Sequence, residues 1–111
     1  MDKLTRYREI IRQNLETYAK WKPSSPQVTS EVIFDSAMDH YELKYIGWDG
    51  HRRIHSCVFH LDIIDGKIWV QYDGTNRPVV EELLAAGIPK EDIVLAEKPV
   101  EMRQYTGFAV G

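Results

Sequence analysis

Two Asp-Gly pairs, Asp49-Gly50 and Asp65-Gly66, each sit between runs in which apolar and polar residues alternate. Asp-Gly supplies the positive φ angles of a two-residue hairpin, and alternation at period two gives a strand one apolar and one polar face. The runs are "HYELKYIGW" (40–48), "HRRIHSCVFHLDII" (51–64) and "KIWVQY" (67–72). A β-branched stretch, "VTSEVIFD" (28–35), precedes them, with "SAMD" as the turn. Together they predict an antiparallel meander of about four strands. Its apolar face collects Tyr41, Leu43 and Tyr45, then Cys57, Phe59, Leu61 and Ile63, then Ile68, Val70 and Tyr72. Trp69 has the opposite parity and points to the other side.

Helical signals flank the meander. Over residues 2–21, Leu4, Tyr7, Ile11 and Tyr18 recur at helical spacing, with Ile10 and Leu15 widening the stripe. Asp2 is placed to cap this helix, and "KPSSP" (22–26) ends it. After the meander, a helix is expected over about 77–86, capped by Thr75 or Asn76, with Pro78 in its first turn and Val79, Val80, Leu83 and Leu84 buried. "AAGIP" stops it, with Gly87 left-handed. "EDIVLAE" then reads as a short strand and "PVEMRQY" (99–105) as a short C-terminal helix, before the apolar tail "GFAVG". The expected fold is α+β: an N-terminal amphipathic helix, the meander, then helix, short strand and short helix, in one domain over 1–111.

Composition narrows the function classes. At 111 residues there is room for one core. A net charge of −3 argues against a dedicated nucleic-acid binder. Residues 1–22 nevertheless carry six basic and three acidic side chains, so Arg6, Arg8, Arg12 and Lys20 form a candidate DNA-contacting face. No apolar run is long enough for a bilayer, the N-terminus lacks a signal-peptide pattern, and Cys57 is alone; a reducing, cytoplasmic location with no membrane association is expected.

Candidate chemistry is sparse. On a strand, His51 and His55 stand about 13 Å apart, and His55 and Cys57 about 7 Å, which is wide for one zinc ion unless the strand bends sharply. No metal or other cofactor is expected from these residues. His60 and Asp62 share the non-core face of the third strand and resemble half of an acid–base pair, but Cys57 has the wrong parity to serve them as nucleophile. No catalytic residue is assigned, no enzyme is expected, and the role of the His40/His51/His55/His60 group stays open. In "YDGTNRPVVEELLAAGIPKEDIVL" (72–95), turn, cap and stop chemistry accounts for almost every residue. Arg77, a cation at a helix start, is mildly unfavourable for the helix dipole and is therefore a candidate for contacting a partner.

The C-terminal half, "HLDIIDGKIWVQYDGTNRPVVEELLAAGIPKEDIVLAEKPVEMRQYTGFAVG" (60–111), closely resembles the XisI family. The Gly-Lys-Ile-Trp strand, the Asp-Gly-Thr turn, the Gly-Ile-Pro helix stop, the Asp-Ile-Val-Leu strand, the Pro-to-Arg segment (99–103) and the Tyr-Thr-x-Phe-Ala end follow in the family's order. "LTRYREIIRQNLETYAK" is similar to the family's opening helix, and the polar "GWDGHRRIHSC" hairpin departs from it. The resemblance implies a cyanobacterial excision controlling factor. Such a protein is non-enzymatic and acts with an XisH-like endonuclease and a site-specific recombinase on a DNA element during heterocyst differentiation. It therefore implies only indirect association with DNA. Direct DNA binding and immunity-like inhibition of a nuclease are the alternatives. Trp69, Arg77, Arg103, Tyr105 and Phe108 are the candidate partner-binding residues, and Trp69 with the apolar tail predicts a homo-oligomer.

Overall fold

A computed structural model describes residues 2–21 and 25–111 of the protein. The "KPSSP" segment falls largely outside these residues. Helix α1 (Lys3–Ala19) starts at Asp2, whose carboxylate accepts from the Thr5 backbone N–H at 2.8 Å and from the Thr5 hydroxyl at 3.0 Å. Strands β1 (Val28–Asp35), β2 (His40–Asp49), β3 (Arg52–Ile64) and β4 (Lys67–Asp73) form the expected meander, each antiparallel to the next. Helix α2 (Val79–Ala85) then returns the chain so that β5 (Ile93–Leu95) pairs parallel with β4. The sheet is thus five-stranded and mixed, in the order β1-β2-β3-β4-β5. A 3-10 helix (Val100–Tyr105) precedes the tail, which docks on its own domain through a bridge between Ala109 and Val94.

Both helices contribute to one core on one face of the sheet. Tyr7, Ile11 and Leu15 of α1 and Val79 and Leu83 of α2 pack with Tyr41, Leu43, Phe59, Leu61, Ile68 and Ile93. Part of the opposite face, near β4 and β5, is covered by the C-terminal segment, where Arg103 lies over Trp69 and Ala109 bridges to Val94. Burying each large apolar side chain contributes about 1.5–3 kcal/mol, so the core face sets the register of every strand.

Two β-bulges modify that register. Leu43 pairs with Phe59, but the next residue, Lys44, pairs with Cys57, so Val58 is the extra residue of β3. Likewise His60 pairs with Tyr72 and Leu61 with Val70, so Gln71 is the extra residue of β4. An inserted residue inverts the facing of everything beyond it. Cys57 therefore does not share the face of Phe59, Leu61 and Ile63; it lies on the open face beside Lys44. Tyr72 leaves the side of Ile68 and Val70 and is exposed. Asp73, by the same inversion, is aligned with the core-facing Phe59 on the side where α2 packs.

That inversion explains how α2 begins. The helix starts at Val79, two residues later than expected, with Pro78 as its N-cap residue rather than in its first turn. Neither Thr75 nor Asn76 caps it. Asp73 does, its Oδ2 accepting the Val79 backbone N–H at 2.7 Å while Oδ1 accepts the Thr75 N–H and hydroxyl. The helix ends as expected at Gly87, with φ +95°, and Ile88 folds back into the core. Of the two hairpin turns, Asp65-Gly66 has both positive φ angles. The first turn sits one residue later, at Gly50-His51, because Asp49 pairs with Arg52.

Candidate functional site

The open face carries a checkerboard of imidazoles and carboxylates. His40 and Glu42 are consecutive outward residues of β2, and His60 and Asp62 are consecutive outward residues of β3. Across the ladder His40 pairs with Asp62 and Glu42 with His60. Asp62 Oδ1 meets His40 Nδ1 at 3.0 Å and His60 Nε2 at 2.9 Å, while Oδ2 accepts from the Gln71 amide at 3.2 Å. Glu42 Oε2 meets His40 Nε2 at 3.2 Å, and the two imidazoles contact edge-on, 4.4 Å between centroids. The ligand atoms of His40, His60 and Asp62 all lie within 4.8 Å of one another.

His40 is the member that sequence spacing missed. Counting back from the hairpin turn without a bulge would place His40 opposite Leu61; the extra residue at Val58 moves it opposite Asp62. His51 and His55 stay apart from this group, in the exposed β2–β3 hairpin. Cys57 shares the face of His60, yet it lacks the environment of an activated nucleophile. Burial, with the nearby Glu42 charge, pushes its thiol up to about 12.

A second feature surrounds Arg77. Its guanidinium lies 5.9 Å from the Trp21 ring centroid and 3.3 Å from Glu82, and its carbonyl accepts the Tyr18 hydroxyl at 2.9 Å. Arg77 immediately precedes the N-cap residue Pro78, and its guanidinium lies beside the first turn of α2, where Glu82 offsets its charge. It borders a groove of about 340 Å³ between α1 and α2. Three of the four basic residues singled out above, all three on α1, engage the chain itself. Arg6 donates to the Ala86 carbonyl at 2.9 Å, Arg8 forms a two-pronged pair with Asp39, and Arg12 bridges Glu9 and Glu16.

The third feature is the C-terminal surface. Arg103 stacks over the Trp69 indole, 5.3 Å from ring centroid to guanidinium carbon, and donates to the carbonyls of Lys98, Ala96 and Val110. Phe108 packs against the core under Lys90. Arg103 thereby holds a short segment whose apolar side chains face solvent: Val100 is 68% exposed, Met102 50%, Tyr105 75% and Val110 55%.

Comparison with known proteins identifies the architecture. The family model described as XisI protein matches residues 1–110. The chain belongs to the XisI family. Among solved structures it is similar to an XisI-like protein from Anabaena variabilis ATCC 29413, with 42% identity, a TM-score of 0.92, and coverage of 97% of this chain and 99% of that one. It is also similar to the fdxN element excision controlling factor XisI from the same organism, with 39% identity, a TM-score of 0.85, and coverage of 99% and 100%. No curated protein matches. No helix among the described residues is long and apolar enough to cross a membrane. In this XisI-family chain, the Asp-Gly-Thr turn that carries the resemblance is the Asp73 capping device, and the segment from Pro99 to Arg103 is the Arg103 clamp.

Proposed function

We propose that this chain is a non-enzymatic controlling factor for excision of a DNA element, acting by binding an XisH-like endonuclease. The observation that carries the reading is the C-terminal surface. Four large apolar side chains stand in solvent on a segment that Arg103 and the Ala109–Val94 bridge hold in place. Exposed apolar groups on a pre-ordered backbone suit docking of a protein, because little ordering entropy remains to be lost. The excision-control role of the similar Anabaena protein points the same way.

Co-expression with an XisH-like endonuclease, followed by pull-down, tests the reading. Association that is lost in Tyr105→Ala/Met102→Ser supports it, and failure to associate rejects it. An inhibitory version of the same docking predicts that the bound chain suppresses nuclease cleavage. Direct DNA contact through Arg6, Arg8, Arg12 and Lys20 is the weaker reading, because the charges of Arg8 and Arg12 are already matched by carboxylates. A salt-sensitive affinity for duplex DNA that disappears in Arg6→Ala/Lys20→Ala would restore it. Self-association belongs to the same proposal: Val32 and Phe34 stand exposed on the edge strand β1. A strictly monomeric mass at micromolar concentration would remove that part.

A further inference from the structure

We propose that His40, His60 and Asp62 form a binding site for a divalent transition-metal ion, with Zn²⁺ the best-suited probe. Two imidazole nitrogens and one carboxylate oxygen converge on a single point of the open sheet face. Zinc bonds of about 2.0–2.2 Å in tetrahedral geometry place neighbouring ligand atoms about 3.4 Å apart. Asp62 Oδ1 is already 3.0 Å from His40 Nδ1 and 2.9 Å from His60 Nε2, and the third separation is no more than 4.8 Å. The third separation is the one that must close, by up to about 1.4 Å, through rotation of the imidazole side chains.

The hydrogen bonding around these three groups points in the same direction. His40 faces a carboxylate oxygen at each ring nitrogen, Asp62 at Nδ1 and Glu42 at Nε2. A neutral imidazole has one N–H, so in a ring that is not doubly protonated one nitrogen turns a lone pair toward an anion unless a cation lies between. With Nε2–H donated to Glu42, the Nδ1 lone pair faces Asp62, which is the tautomer that binds a metal. Glu42 then orients His40, and the Gln71 amide orients Asp62 from its other oxygen, the outer contacts that typically support a metal site. Lys44, 3.8 Å from the other oxygen of Glu42, balances the second carboxylate. Imidazole-rich donor sets select borderline ions over Mg²⁺ or Ca²⁺. Three protein ligands on a partly exposed face leave a fourth position open to solvent or to a group from another molecule.

The test uses the full chain, freed of any histidine tag and dialysed against chelator. Co²⁺ is titrated by its visible absorption and then displaced with Zn²⁺. The expected result is one equivalent bound, with His40→Ala and His60→Ala each abolishing the tetrahedral cobalt spectrum. Glu42→Gln weakens affinity about 10–100-fold, as loss of an orienting contact does. His51→Ala/His55→Ala and Cys57→Ser bind as the parent chain does. Thermal melts of each variant without metal show that it is folded, and a Zn²⁺-dependent rise in Tm confined to chains with all three ligands gives an independent reading. Absence of binding up to ~1 mM Zn²⁺, far above structural zinc affinities, overturns the proposal. So does undiminished binding in folded His60→Ala.

Discussion

Asp73 accepts the backbone N–H of Val79 at 2.7 Å, so a residue at the end of β4 caps a helix that begins six positions later. The same carboxylate holds the Thr75 N–H at 2.9 Å and the Thr75 hydroxyl at 2.6 Å. Asp73→Ala removes all three bonds together. It is expected to cost about 1–2 kcal/mol, the range for loss of a strong helix cap. Thermal unfolding measures this, and Asp73→Asn, which keeps one acceptor, should fall between the two. A melting temperature unchanged in Asp73→Ala would contradict the capping role.

Arg103 joins the C-terminal segment to Trp69. Arg103→Ala is expected to raise amide exchange at the Ala109 N–H, which donates to the Ile93 carbonyl at 2.9 Å, and to shift Trp69 emission toward that of a solvated indole. Arg103→Lys should not restore protection, because one ammonium cannot span the carbonyls of Ala96, Lys98 and Val110 as the guanidinium fork does. Retained protection in Arg103→Ala would show that the tail is held by the strand bridge alone.

Acid should loosen the contact between α1 and the β1–β2 turn. The Arg8 guanidinium, with help from the Tyr41 hydroxyl, holds the Asp39 carboxyl below the ordinary aspartate value of 3.8, against the opposing effect of burial. A depressed carboxylate stabilises the fold above its unfolded pKa, and that stability is lost as pH falls through the lower, folded value. Asp39→Asn should therefore be less stable than the parent chain at neutral pH, with the difference closing below about pH 4. Urea unfolding across that range checks it; a constant difference would mean that the charge is irrelevant.

Cys57 should be a slow nucleophile. With its thiol pushed up to about 12, the thiolate is scarce at pH 8, and alkylation by iodoacetamide is expected at least ~10-fold slower than for a free thiol. Mass spectrometry of a time course gives the rate. Reaction at the free-thiol rate would reopen Cys57 as a reactive group beside His60.

Local chemistry alone determined several elements of this chain. Asp65-Gly66 specifies a tight turn because both central residues need positive φ. Gly87, Ile88 and Pro89 end α2, and Asp2 starts α1, each through contacts within a few residues. Alternation placed Trp69 opposite Ile68 and Val70, and the stripe of α1 named its buried residues. The tertiary structure decided what depends on long-range pairing. The bulges at Val58 and Gln71 carry no distinctive local signal, since each is one ordinary residue in a continuous strand-forming run. Each nevertheless inverts a period-two pattern. One turns Cys57 outward and brings His40 opposite Asp62, while the other exposes Tyr72 and delivers Asp73 to α2. Pairing is set by which apolar sets can be buried together against α1 and α2, a condition on the whole sheet that no single segment expresses.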